Sequence, residues 1–206
     1  MERLSRNGIG ILNLFRKNIF LSGSIREIAA LLKKPYPKVY EAAKELERRN
    51  VIHLRKAGNA SLCEIMLSKD AVSVLSFLDE QEAISRNIPN VEKILEFREF
   101  LDDIIVVAGS YAKGRQTTKS DIDLVLITKE GAARKQKLLE NMTMTFLPRI
   151  HAVTFSYKDF VDMLLSRDEN FGKEVFRNRL IFRNTERYYL LLKEAIENGF
   201  RSKNLS

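Results

Sequence analysis

Two short aliphatic runs constrain this chain more than any other feature. Asp103-Ile104-Ile105-Val106-Val107-Ala108 and Leu124-Val125-Leu126-Ile127 are rich in β-branched residues and too short for buried helices. Both read as buried strands. Ile150-His151-Ala152-Val153-Thr154-Phe155 reads as a third. Gly109-Ser110 ends the first run, and Asp121-Ile122-Asp123 leads into the second. Helices are expected at 91–100, 132–142, 157–166, 170–178 and 184–198, with Ser156 and Asn184 as N-caps and Gly199 as a stop.

The residues at the strand ends carry the chemistry. Strand alternation puts Asp121 and Asp123 on one side and Ile122 on the opposite, buried side. Two adjacent carboxylates repel each other unless a cation lies between them. An oxygen-rich site of this kind suits Mg²⁺ or Mn²⁺. Gly109 can take a positive φ, which lets backbone N–H groups approach a phosphate, and a short helix beginning there adds positive potential. The Ser110 hydroxyl, Lys113 and Arg115 are placed to meet further phosphate charge. A phosphate cradle facing a carboxylate pair is the requirement of metal-assisted nucleotidyl transfer.

Gly109-Ser110, ten intervening residues and then Asp121-Ile122-Asp123 resemble the signature of the nucleotidyltransferase superfamily related to DNA polymerase β, most closely the minimal nucleotidyltransferases of prokaryotes. The resemblance covers about residues 90–160. It implies a mixed sheet flanked by helices (an α/β or α+β class), ATP or another NTP as donor, and transfer of a nucleoside monophosphate. By the same carry-over, Gly109 and Ser110 hold the triphosphate with Lys113, Arg115 and Ser120 nearby, and Asp121 and Asp123 bind the metal. Active members usually carry a third carboxylate on a later strand. The corresponding run here, Ile150–Phe155, has none, and His151 takes the most plausible equivalent place. Histidine can act as a base but is a poor Mg²⁺ ligand; Asp159 is a second candidate acid. Several minimal nucleotidyltransferases work as antitoxins beside HEPN-domain partners, so a protein hydroxyl is one acceptor that the resemblance implies, and a nucleic-acid hydroxyl another. A non-enzymatic DNA-binding regulator with a nucleotide-sensing domain is the rival reading.

The first part of the chain has a different character. Leu4, Ile11, Leu12, Leu14 and Phe15 recur at helical spacing, and Ser22-Gly23 breaks the pattern. Ser24-Ile25-Arg26-Glu27 is a capping box, followed by Ile25, Ile28, Ala29 and Leu32 as a buried stripe. Pro35 and Pro37 turn the chain, and a third helix buries Val39, Ala42, Ala43 and Leu46. Val51–Leu54 and Ser61–Leu67 read as strands, with Arg55–Ala60 as a basic loop between them, and a helix runs from Lys69 to about Ile84. Three helices and a hairpin resemble a winged helix-turn-helix. That resemblance implies DNA (or RNA) binding through Lys38, Lys44, Arg48, Arg55 and Lys56, with Arg49 alongside; docking or homodimerisation is another use of such modules. The linker near Ile84–Asn90 divides the expectation into domains at 1–85 and 86–206.

Composition narrows the classes. The 206 residues carry a net charge of +8, which favours polyanions such as nucleic acid or nucleotide phosphates. One cysteine, Cys63, excludes an intramolecular disulfide framework, and two histidines make a zinc hydrolase improbable. No signal-peptide core or membrane-spanning run is visible, so a cytoplasmic protein without membrane contact is expected. Phe171, Phe176, Tyr188 and Tyr189 fit a helical core better than a stacking wall, and Arg177, Arg179, Arg183 and Arg187 read as a basic cluster.

Overall fold

The computed structural model describes residues 4–58 and 60–201. The chain divides into two compact units, residues 1–78 and 79–206.

In the first unit, α1 (Arg6–Lys17) buries Ile11, Leu12 and Phe15. The short strand β1 (Ser22–Ser24) leads into α2 (Ile25–Leu32), whose capping box forms as expected: Ser24 accepts from the Glu27 N–H while the Glu27 carboxylate accepts from the Ser24 N–H. Helix α3 (Tyr36–Arg48) starts directly after Pro35 with Pro37 in its first turn, where a missing N–H removes no helical bond. Strands β2 (Ile52–Ala57) and β3 (Ala60–Ile65) form an antiparallel hairpin, and β1 adds to β3, giving the order β1-β3-β2. The long helix α4 (Lys69–Ser85) follows, and the division between the units falls within it.

Two expectations change here. Ser22-Gly23 is part of a strand rather than a simple break, held there by pairing with Glu64 and Cys63. Arg55 and Lys56 lie within β2 rather than in a loop, because the ladder continues out to the pair Ala57–Ala60. Of that expected loop, Asn59 lies outside the described residues, as do Met1, Glu2 and Arg3 of the amino terminus.

The second unit is a mixed α+β fold. After α5 (Val91–Leu95) comes a 3₁₀ turn, Arg98–Phe100. The expected single helix over 91–100 is broken at Phe97, whose backbone is extended, and the turn delivers Phe100 fully into the core. Strand β4 (Ile104–Val107) leads into a single helical turn, α6 (Gly109–Ala112). Next come β5 (Ile122–Thr128), α7 (Ala132–Thr143), β6 (Ile150–Ser156), α8 (Tyr157–Leu165), α9 (Phe171–Arg177), β7 (Leu180–Arg183) and α10 (Thr185–Glu197). The sheet order is β6-β5-β4-β7; β5 and β6 are parallel, and β4 is antiparallel to β5 and β7. A parallel pair needs a crossover, and α7 supplies it.

The burial pattern explains the architecture. Every residue of β5 except Asp123 is buried, as a central strand covered on both faces requires. One sheet face presents Ile122, Leu124, Leu126, Ile105, Val107 and Ile150 to Val91, Ile94 and Leu139. Helices α8 and α10 pack with the strands and with each other, bringing Phe160 against Tyr188. Full burial of each such side chain is worth about 1.5–3 kcal/mol. Tyr188 and Tyr189 are wholly buried and Phe176 nearly so, so these rings are core. The expected basic cluster separates instead: Arg179 is buried beside Asp79 and the rings of Tyr188 and Tyr189, and Arg177 pairs with Glu169. Cys63 is fully buried, and burial pushes its thiol up to about 11. No helix among the described residues is long and apolar enough to cross a membrane.

Candidate active site

The site forms where β4 ends and β5 and β6 begin. The Ala108 N–H donates to the Asp123 carbonyl at 2.8 Å, extending the β4–β5 ladder by one bond before the chain turns. Gly109 then takes φ +62°, and a Cβ built on it would stand 1.9 Å from Asp123 Oδ2 and 2.9 Å from Cγ. Only glycine fits: backbone conformation and space both exclude a side chain. Ser110 follows on α6, partly exposed. That helix is one turn long, so its axial dipole is small; its first N–H groups, which lack intrahelical acceptors, are the donors available to an anion.

Asp123 is the second residue of β5, with its side chain 31% exposed. Parallel register sets His151 beside it, and Asp123 Oδ1 lies 3.5 Å from His151 Nδ1, an ion pair when the ring is protonated. Ile122 between the two aspartates is fully buried and donates its N–H to the Arg149 carbonyl at 2.9 Å. Asp121 is exposed just before β5. Asp121 and His151 line one groove of about 750 Å³ with Gln136, Glu140 and Arg149.

The other candidates divide. Lys113 is held by Glu174 at 3.1 Å. Ser120 is engaged in its own loop, accepting from the Thr117 N–H at 2.9 Å. Arg115 and Lys119 are exposed and have no carboxylate partner among the described residues. Asp159 does not reach the site. It caps α8 by accepting from the Ser156 hydroxyl and N–H, which lowers its pKa, and it lies beyond the far end of β6, which itself is about 17 Å along the strand from His151. No carboxylate occurs on β6, so His151 stands alone on that strand beside Asp123. Glu140 escaped the sequence reading because it lies on the crossover helix.

A family model described as a nucleotidyltransferase domain matches residues 88–195, 108 of the 206 residues. The chain belongs to the nucleotidyltransferase domain family. No curated protein and no solved structure matches it. The matched span of this nucleotidyltransferase domain includes the Gly109 turn, both aspartates, His151 and all four strands of the mixed sheet.

The cations expected to meet DNA are partly committed elsewhere. Lys44 pairs with Glu47 at 2.8 Å, Arg49 with Glu45 at 2.7 Å, and Arg55 with Glu64 at 2.8 Å. Lys38, Arg48 and Lys56 have no carboxylate partner among the described residues.

Proposed function

We propose that the chain is a Mg²⁺-dependent nucleotidyltransferase that moves a nucleoside monophosphate from an NTP, ATP first among them, to a hydroxyl of a protein or nucleic acid. The observation that carries this reading is Asp123, wedged between the glycine turn on one side and His151 on the other. Asp121 and Asp123 offer hard oxygen ligands of the type Mg²⁺ or Mn²⁺ prefers. No group of three or more acidic, His or Cys residues that could hold a metal occurs among the described residues. The aspartates therefore suit a cation shared with nucleotide phosphates rather than one caged by protein. When bound, that ion supplies charge neutralisation at the α-phosphate and the leaving group.

The protein's own residues account for the rest. The Gly109–Ser110 backbone and the Ser110 hydroxyl hold the triphosphate, and Arg115 offsets its charge. The acceptor enters along the groove of Gln136, Glu140 and Arg149. His151, oriented by Asp123, takes the proton of the acceptor hydroxyl. The hydroxyl oxygen bonds to the α-phosphorus as the bond from that phosphorus to pyrophosphate breaks. A partner polypeptide, as in the HEPN-paired members that the sequence resembles, is one acceptor for this groove. The amino-terminal unit serves as a winged helix that binds nucleic acid.

The lack of any acid on β6 supports a second reading, a DNA-binding regulator whose transferase domain senses nucleotide without turning it over. The two readings part in one experiment. Purified protein with Mg²⁺ and a host lysate is offered ATP labelled at either the α- or the γ-phosphate. Transfer gives a macromolecule labelled from the α position only, abolished by Asp121→Asn/Asp123→Asn. Nucleotide binding without any labelled product supports the regulator.

A further inference from the structure

The net charge is concentrated in the first unit. Residues 1–78 hold 14 Lys and Arg against 7 Asp and Glu, net +7; residues 79–206 hold 21 against 20, net +1. Three of the six cations on α3, its C-cap and β2 (Lys44, Arg49 and Arg55) are nevertheless paired with carboxylates. At the start of α3 the exposed surface is aromatic instead. Tyr36 and Tyr40, one helical turn apart, stack with ring centroids 5.9 Å apart and planes 30° apart. They remain 46% and 40% exposed, while Val39, Ala42, Ala43 and Leu46 fill the buried face of the same helix. The two rings line a cleft of about 250 Å³ together with Arg26, Ser61, Ser24 and Ala60. Arg26, which lines the same cleft, is exposed with no carboxylate partner among the described residues.

We infer that this cleft binds single-stranded nucleic acid, with a base stacked on the Tyr36–Tyr40 pair and the adjoining phosphate met by Arg26. The inference rests on the proposal that this unit binds nucleic acid, and it names the form of that ligand. Exposed tyrosine faces stack on any unpaired base, whereas bases inside a duplex are already stacked on each other. Duplex binding draws instead on many unpaired cations along the backbone, and the ion pairs on α3 and β2 deplete them. Ser61 adds a hydroxyl at the rim for a base edge or a phosphate.

The test titrates the full chain at low salt with short DNA and RNA oligonucleotides, single-stranded and duplex. The chain has six tyrosines and no tryptophan, so quenching of tyrosine emission gives a direct readout of stacking. Single strands should bind more tightly than duplex of the same length and quench that emission. Tyr40→Ala should weaken single-strand binding by about 5- to 100-fold, and Tyr40→Phe should retain most of it. Arg26→Ala should reduce the salt slope by about one. The DNA and RNA arms identify the backbone preferred. Preference for duplex, or indifference to both Tyr36→Ala and Tyr40→Ala, overturns the inference while leaving nucleic-acid binding by this unit intact. Absence of binding to every oligonucleotide overturns both.

Discussion

The absent side chain of Gly109 and the carboxylate of Asp123 occupy the same space: a Cβ on Gly109 would lie 1.9 Å from Asp123 Oδ2. The glycine turn proposed to hold the phosphates and the acid proposed to hold the metal are therefore built as one unit. Gly109→Ala must move Asp123 or the turn, and it must also hold a non-glycine residue at φ +62°. Transfer should fall by about 100-fold or more. Asp123→Asn should also abolish transfer but leave the turn undisturbed, so its thermal midpoint should exceed that of Gly109→Ala. Steady-state transfer assays with paired melting curves check both.

A buried ion pair underlies β4. Lys135 Nζ on α7 lies 2.7 and 2.6 Å from the two carboxylate oxygens of Asp103, whose side chain is 2% exposed. Lys135→Met strands that carboxylate and should cost about 3–5 kcal/mol in urea unfolding. Adding Asp103→Leu should recover much of the loss, because the unpaired charge is then gone.

Two buried phenols set an alkaline limit. Burial pushes Tyr188 up to about 12, and burial with the neighbouring Asp79 charge raises Tyr189. The folded state favours the neutral phenol. Its stabilisation is complete below the ordinary tyrosine pKa near 10 and is lost as pH rises from there towards 12. For Tyr188 the loss is about 2–3 kcal/mol. The Tyr188 hydroxyl has no hydrogen-bond partner among the described residues. Tyr188→Phe should accordingly be neutral or stabilising by about 1 kcal/mol at pH 7, and it should extend stability above pH 10. Unfolding free energies measured from pH 7 to 12 for both proteins check this.

Much of the second unit was legible because its signals are local. Ile122–Thr128 is nearly all apolar and Ser156 stands as the N-cap of α8, and in the first unit Ser24 and Glu27 form the capping box that their spacing of three announces. The turn and the aspartates were legible because Gly109 and Asp121-Ile122-Asp123 sit at strand boundaries. What escaped depends on pairing at a distance. Ser22–Ser24 has no strand propensity of its own and exists by pairing with β3. Leu180–Arg183 is four residues long and is held against β4 across a bulge. Glu64 neutralises Arg55 only because the hairpin register brings the two together. Glu140 reaches the groove only because α7 crosses beside β6.

In the proposed mechanism this nucleotidyltransferase domain transfers with His151 in the place of a third carboxylate. The most direct measurement is the rate of α-label transfer from ATP for the natural protein, Asp121→Asn/Asp123→Asn, His151→Ala and His151→Asp. Transfer is expected from the natural protein, none from the double variant, a loss of about 10²–10⁴ for His151→Ala, and substantial retention for His151→Asp. Nucleotide binding without transfer by the natural protein, or transfer indifferent to the aspartates, would contradict this mechanism.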